Sequence, residues 1–376
     1  MRVWIAALLL LASILPAAAY AIQVKGLYQA RIPVASEAAQ DRAQALRAAL
    51  ERVLIKVSGK RTAPLSRRIA AVLTDPARLI DQYRYLTLPA QAAPGQPVPP
   101  SPSLALWVRF DPAAIDRALR AAQLPIWGRE RPTVLLWLAV QDGTQRTLVG
   151  ADNAGTVPTE VEHLARGRGL PLVLPLMDLE DQSRVQFGDV WNGYMDNLLE
   201  ASQRYAAKVI LVGQVQHETS GAWSSRWTLQ QGGQQVQWVS QGQAEDDVLA
   251  AGIDGAADTL ASRFALAPSG YATSLAAVDV DGVTSLQDYA RVSRYLAALT
   301  SVVQVQPYQV DASRVGFQVD VRGGWNYLAQ EISLGHTLLP EATTTTPPVS
   351  ANIPAVAGSG TASPAPLPVL RYRLAQ

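Results

Sequence analysis

Thr133–Val140 reads TVLLWLAV, eight residues with no charge and no turn former. A bilayer span takes about 20 apolar residues, so the run is too short to cross one. It has the length of a strand, and a strand apolar at every position is covered on both faces. Leu170–Met177 and Lys208–Val215 are similarly apolar. Helical spacing lies between these runs, at Val157–Gly167 and along Val190, Tyr194, Leu198, Ala201 and Tyr205. The alternation predicts a central parallel α/β module over residues 131–268. An added β-hairpin, Ala222–Gln230 with Gln235–Gln241, turns through Gly232-Gly233. Leu249, Ile253, Ala256, Leu260 and Phe264 mark a closing helix.

Two smaller α+β units flank this module. In residues 22–130, Ile22–Arg31 suits a strand. Ala39, Ala43, Leu46, Leu50, Val53 and Val57 then form one helix face between Ser36 as N-cap and Gly59 as stop. Tyr83–Leu88 and Leu104–Phe110 read as strands, and Asp111-Pro112 opens another helix. The order predicts an N-terminal split β-α-β unit. Ala90–Ser103, with five prolines, reads as a loop. Residues 269–340 repeat the order as a C-terminal ferredoxin-like β-α-β-β-α-β unit, with Thr284 and Gln287 fitting a capping box. From Ala342 to Leu370 no residue is charged. Residues 341–376 therefore read as a disordered low-complexity tail, with a frayed end at Leu370–Gln376.

Residues 1–21 carry an export signal: Arg2, an apolar stretch from Val3 to Leu15, Pro16, and the small-x-small pattern Ala19-Tyr20-Ala21. Cleavage after Ala21, with Ala19 as a second candidate, and a periplasmic address in a Gram-negative bacterium follow as expectations, with no transmembrane span in the mature chain. The chain has no cysteine, which removes thiol nucleophiles, disulfides and iron–sulfur ligands together. Lys plus Arg is 32 against 31 for Asp plus Glu, so there is no global basic footprint and dedicated nucleic-acid binding is disfavoured.

Chemistry-bearing motifs are sparse. His163, His217 and His336 have no i, i+4 histidine partner, so no metal site is predicted. Neither a G-x-S-x-G elbow nor a phosphate-binding glycine loop occurs, and no cofactor is implied. Asp279-Val280-Asp281-Gly282 is a fragment of a calcium loop without its closing Glu, and reads as a turn. Asp178, Glu180 and Asp181 follow directly on the apolar run Leu170–Met177. A parallel strand ending there would place three carboxylates at its carboxyl end, where open α/β sheets hold ligands. With Trp191 they are the candidate partner- or ligand-binding residues. Pro171 and Pro175 argue against a central strand. Trp223, Trp227 and Trp238 fall on the hairpin and suit cross-strand packing. Lys60-Arg61 and Arg67-Arg68 form a modest basic patch.

Several segments together resemble the proteobacterial exported proteins of domain-of-unknown-function family 2066. They are Ile32–Val34, Val53–Gly59, Leu106–Asp111, Pro125–Pro132, Pro175–Asp181, Asp189–Trp191, Ala201–Tyr205, and Trp223 with Trp227. The resemblance implies export but no activity, cofactor or catalytic residue. The central unit is similar in strand–helix order to the α/β modules of cell-envelope assembly proteins. The expected function is a non-enzymatic interaction or assembly factor of the envelope, partnered by another envelope protein. The alternative is a periplasmic ligand-binding protein or hydrolase using the acidic segment 178–181.

Overall fold

The computed structural model describes residues 24–88, 103–341 and 367–375. The expected export signal, most of the expected proline-rich loop and most of the expected low-complexity tail lie outside the described residues. The chain is a mixed α/β protein built on three sheets.

In the first unit β1 (Gln29–Val34) leads into α1 (Ala39–Ser58), α2 (Arg67–Thr74), β2 (Ile80–Leu88), β3 (Ser103–Phe110) and α3 (Pro112–Ala121). The sheet order is β1-β3-β2 with antiparallel pairs, so β3 splits a β-α-β unit. The buried face of α1 carries Leu46, Leu50, Val53 and Val57 onto Leu106, Val108 and Phe110. Gly59 ends α1 at φ 70°, a left-handed position natural to glycine. Ala38 is the N-cap of α1, and Ser36 instead accepts from the Ala38 N–H at 3.2 Å. The first strand starts later than its apolar pattern suggests, because residues 25–28 form a turn.

The second unit comprises β4 (Val134–Asp142), β5 (Gln145–Val149), α4 (Val157–Arg168), β6 (Leu172–Val173), α5 (Leu179–Arg184), α6 (Phe187–Asn192), α7 (Met195–Ser202), β7 (Val209–His217), β8 (Trp223–Gln231), β9 (Gln234–Gly242) and α8 (Glu245–Phe264). The order β5-β4-β7-β8-β9 has β4 and β7 parallel at its centre. Alternate residues of β4 face two cores. Leu136 and Leu138 pack with Leu249 and Ile253 of α8, and Leu135 and Trp137 pack with Val190 and Leu198 of α6 and α7. The Leu170–Met177 run shrinks to the two residues of β6, which pair only with Val134 and Leu135. Pro171 and Pro175 bracket it and have no N–H to donate to a ladder. The single helix expected through residues 190–205 is broken at Gly193, φ 68°. In the hairpin, Trp227 and Trp238 are cross-strand partners. A Cβ at Gly252 of α8 would collide with Trp227, and one at Gly255 with Trp238.

The third unit contains β10 (Thr273–Asp281), α9 (Leu286–Ala298), β11 (Val302–Val310), β12 (Arg314–Arg322), α10 (Gly324–Leu334), β13 (Leu338–Pro340) and β14 (Val369–Leu374). The capping pair of α9 is Ser285 with Asp288, one residue later than the Thr284–Gln287 reading. The sheet order is β11-β12-β10-β14-β13. A ferredoxin-like unit places its fourth strand beside its first; here β14 stands between β10 and β13. The expectation of a frayed end at Leu370–Gln376 is therefore wrong for Leu370–Leu374. Tyr372 and Leu374 are buried in the core of this unit. The uncharged stretch before them hides from composition that VLRYRL itself alternates in the manner of a strand. Among the described residues, no helix is long and apolar enough to cross a membrane.

The first and second units are joined through Arg131, which is fully buried. Its Nε donates to Gly128 O at 2.9 Å. Nη1 donates to Gly169 O at 2.8 Å and Arg168 O at 3.2 Å. Nη2 donates to Lys56 O and Trp127 O, each at 2.8 Å. Arg168 then reaches Gly59 O at 2.8 Å and pairs with Asp254 and Asp258 of α8. Replacing Arg131 by Met leaves five buried carbonyls without donors, at about 1–3 kcal/mol for each one that water cannot reach. We expect Arg131→Met to lose at least about 4 kcal/mol in urea denaturation followed by tryptophan fluorescence. A loss below about 1 kcal/mol, within the range of an ordinary surface change, would contradict this role.

Candidate functional site

Asp178, Glu180 and Asp181 lie where α5 begins, after β6, and converge on one cation. Asp178 is the N-cap of α5, accepting from the Asp181 N–H at 3.0 Å. Arg204, just beyond α7, donates to both Asp178 oxygens at 2.8 Å and to Asp181 Oδ1 at 2.9 Å. Glu180 stands 3.5 Å from the same guanidinium and 3.1 Å from Arg184. Asp181 is fully buried. It also accepts from the Met177 N–H at 2.9 Å and from the Tyr205 hydroxyl. Met177, whose N–H makes the first of these bonds, sits at φ 55°, a left-handed conformation that a side chain adopts only at some cost. The Tyr205 ring packs edge-on to Trp137 of β4, with centroids 6.5 Å apart. The cluster is thus tied through one aromatic pair to the sheet.

Repulsion among the three carboxylates is offset by the Arg204 guanidinium and by helix N-terminal amides. The bidentate bond from Arg204 holds the Asp178 carboxyl well below the usual carboxylate range. Trp191 stands apart from the cluster. It is half-buried on α6 and stacks on Phe187 at 5.3 Å, and the Arg146 guanidinium lies over the Phe187 ring.

Around this locked cluster the α5–α7 layer leaves apolar side chains in solvent. Leu179, in the first turn of α5, is 86% exposed, and Leu176, Tyr194 and Leu199 are also exposed. The apolar pattern of the sequence does not separate these from core positions; only the fold does.

Two further arrangements were not read from the sequence. His217 and Asp142 end the parallel strands β7 and β4 in register, and the Nδ1–Oδ1 distance is 2.8 Å. The imidazole stacks on Trp223, centroids 4.6 Å apart. The residues are far apart in sequence, and only the β4–β7 register brings them together. A cleft of about 500 Å³ lies between the end of α1 and α8, lined by Ser58, Lys60, Arg61, Gln123, Asp258 and Ser262. Lys60 and Arg61 of the basic patch thus border a concavity, and Arg61 pairs with Asp254. The calcium-like fragment is engaged elsewhere: Asp279 accepts from the Tyr308 hydroxyl at 2.6 Å, and Asp281 from Arg314 at 2.7 and 2.8 Å. Among the described residues, no group of three or more His, Asp or Glu is placed to hold a metal ion.

Comparison with known proteins gives a domain of unknown function over part of the chain. Residues 21–128 match the model of a family described as Domain of unknown function (DUF8605). This is a different family from the family 2066 suggested by sequence resemblance, and it overturns that assignment. No curated protein matches the chain. A solved structure described as "Crystal structure of uncharacterized protein" is 16% identical, covering 36% of this chain and 92% of that chain with a TM-score of 0.18.

The Asp178–Arg204 pair has a defined pH signature. A carboxyl whose folded pKa is depressed stabilises fully above its unfolded value, about 4, and loses that contribution as pH falls further. We expect the acid limb of the stability curve to begin below about pH 4 and to be shallower in Arg204→Gln. At pH 7 the same variant leaves Asp181 buried without its cation, a loss on the order of 3 kcal/mol. Equal acid limbs in the two proteins, measured by urea denaturation from pH 2.5 to 7, would refute the pairing.

Proposed function

We propose that this chain is an exported cell-envelope protein that works by binding another envelope protein and not by catalysing a reaction. The observation that carries the reading is the α5–α7 layer, where Leu179 projects into water from a backbone clamped on both sides. Asp178 and Asp181 flank it, and Arg204 holds both. An apolar anchor on a rigid support loses little conformational entropy when a partner covers it. Leu176, Tyr194 and Leu199, in or beside the α5–α7 segments, are exposed as well and add to the apolar surface there. Glu180 and Asp178, next to Leu179 in the chain, supply a polar margin, the usual anatomy of a protein contact. The alternative, in which the carboxylates of 178–181 act on a ligand, meets side chains already committed to Arg204, Tyr205 and main-chain amides.

Leu179→Asp tests the contact, with Leu65→Asp as a control, since Leu65 is 81% exposed on the first unit. Crosslinking in the native envelope is expected to lose its major adduct in Leu179→Asp and keep it in Leu65→Asp. Retention of the same adduct in both variants would overturn the assignment of the surface. Export rests on the Val3–Leu15 segment and the Ala19-Tyr20-Ala21 pattern. N-terminal sequencing of protein from a periplasmic extract is expected to begin at Ile22. An intact Met1 in the membrane fraction would refute cleavage.

A further inference from the structure

We propose that β14 is an exchangeable strand, and that two copies of this chain trade it to form a reciprocally swapped dimer. All the information that seats β14 lies in the strand and its slot. It runs parallel to β10, with Val278 beside Leu370 and Val280 beside Tyr372 on the core side. On the opposite side the same register sets Asp279 beside Arg371 and Asp281 beside Arg373. Arg373 also pairs with Glu341 at 3.3 Å. Main-chain bonds close both ends: the Ala277 N–H donates to Pro368 O at 2.9 Å and the Ala375 N–H to Thr337 O at 3.0 Å. A one-residue slip would turn arginines into the core and apolar residues out, so the slot accepts this strand in one register.

The connection to β14 is far longer than the geometry requires. β13 and β14 are antiparallel neighbours, with Pro340 opposite Tyr372 and the Glu341 N–H on Arg371 O at 3.2 Å. Antiparallel neighbours can be closed by a hairpin of two to about five residues. Here about 27 residues intervene, enough to reach roughly 90 Å when extended. That length lets a strand leave its own slot and enter the identical slot of a second copy, with the same contacts remade. The intramolecular and swapped forms then differ mainly in the effective concentration set by the tether, so concentration selects between them.

The absence of native cysteine makes the exchange directly readable. Asp281→Cys and Arg373→Cys place single thiols on adjacent parallel strands, at the separation a disulfide spans. The full-length double variant, oxidised when dilute, is expected to close within one chain, which establishes the register. The two single variants, mixed at high concentration, incubated and then oxidised, are expected to give a covalent heterodimer at least tenfold above either homodimer. Its yield is expected to fall on dilution before oxidation. Closure of the double variant with no excess of heterodimer in the mixture would overturn the exchange. Failure of the double variant to close would overturn the slot itself.

Discussion

One buried guanidinium holds the first two units in a common frame. Arginine has five N–H donors, and Arg131 spends each on a main-chain carbonyl. The carbonyls come from three places: the last turn of α1, the Trp127–Gly128 connection, and the end of α4 with Gly169. Helix C-termini present unsatisfied carbonyls and a partial negative charge, so two helices aimed at one cation replace the carboxylate that usually accompanies it. The Trp127 ring, 3.8 Å from the guanidinium carbon, covers one face. Burial pulls the group down to about 9, which still leaves it charged near neutral pH. The relative placement of the units is thus fixed by directional bonds of known geometry, which apolar contact alone does not supply.

That placement positions everything else of interest. Arg168 passes from the carbonyl cluster to Asp254 and Asp258, so the end of α1 and the middle of α8 are tied to α4 and form the walls of the cleft. On the other face of the same sheet, Trp137 reaches Ser202 through its indole N–H at 2.9 Å and Tyr205 through its ring. Tyr205 in turn anchors Asp181. The rigidity of the exposed Leu179 therefore has its source in the sheet, three side chains below the surface.

Much of this architecture was legible in the sequence, and the reason is local. The face of α1, the left-handed stop at Gly59, the Asp111-Pro112 start of α3 and the paired glycines of the β8–β9 hairpin each depend on neighbours in the chain. The uniform apolarity of Thr133–Val140 correctly announced a strand covered on both sides. What the sequence left hidden depends on partners distant along the chain. Asp178 and Asp181 were visible as a cluster, but Arg204 lies 26 positions from Asp178 and nothing local in the sequence pairs the two. His217 and Asp142 meet only through parallel register. Two prolines reduced an eight-residue apolar run to two residues of strand, and Gly193 divided one helix into two. β14 was obscured because its six residues follow a long uncharged stretch whose composition dominates the reading.

The position of β14 also governs the order in which the protein can be completed. Synthesis runs from the N-terminus, so β10 and β13 are both made before β14. During that interval the C-terminal sheet has an unfilled gap, and two main-chain edges lie open to pairing with foreign chains. Closing the gap joins residues far apart in sequence, the kind of contact that makes folding slow. The first unit also closes on a long-range pair, Gln29 of β1 with Arg109 of β3, but all of its strands have been made once residue 110 is reached. In a chain laid out in this way the C-terminal sheet is the last to receive all its strands, and two of its edges stay unpaired until then.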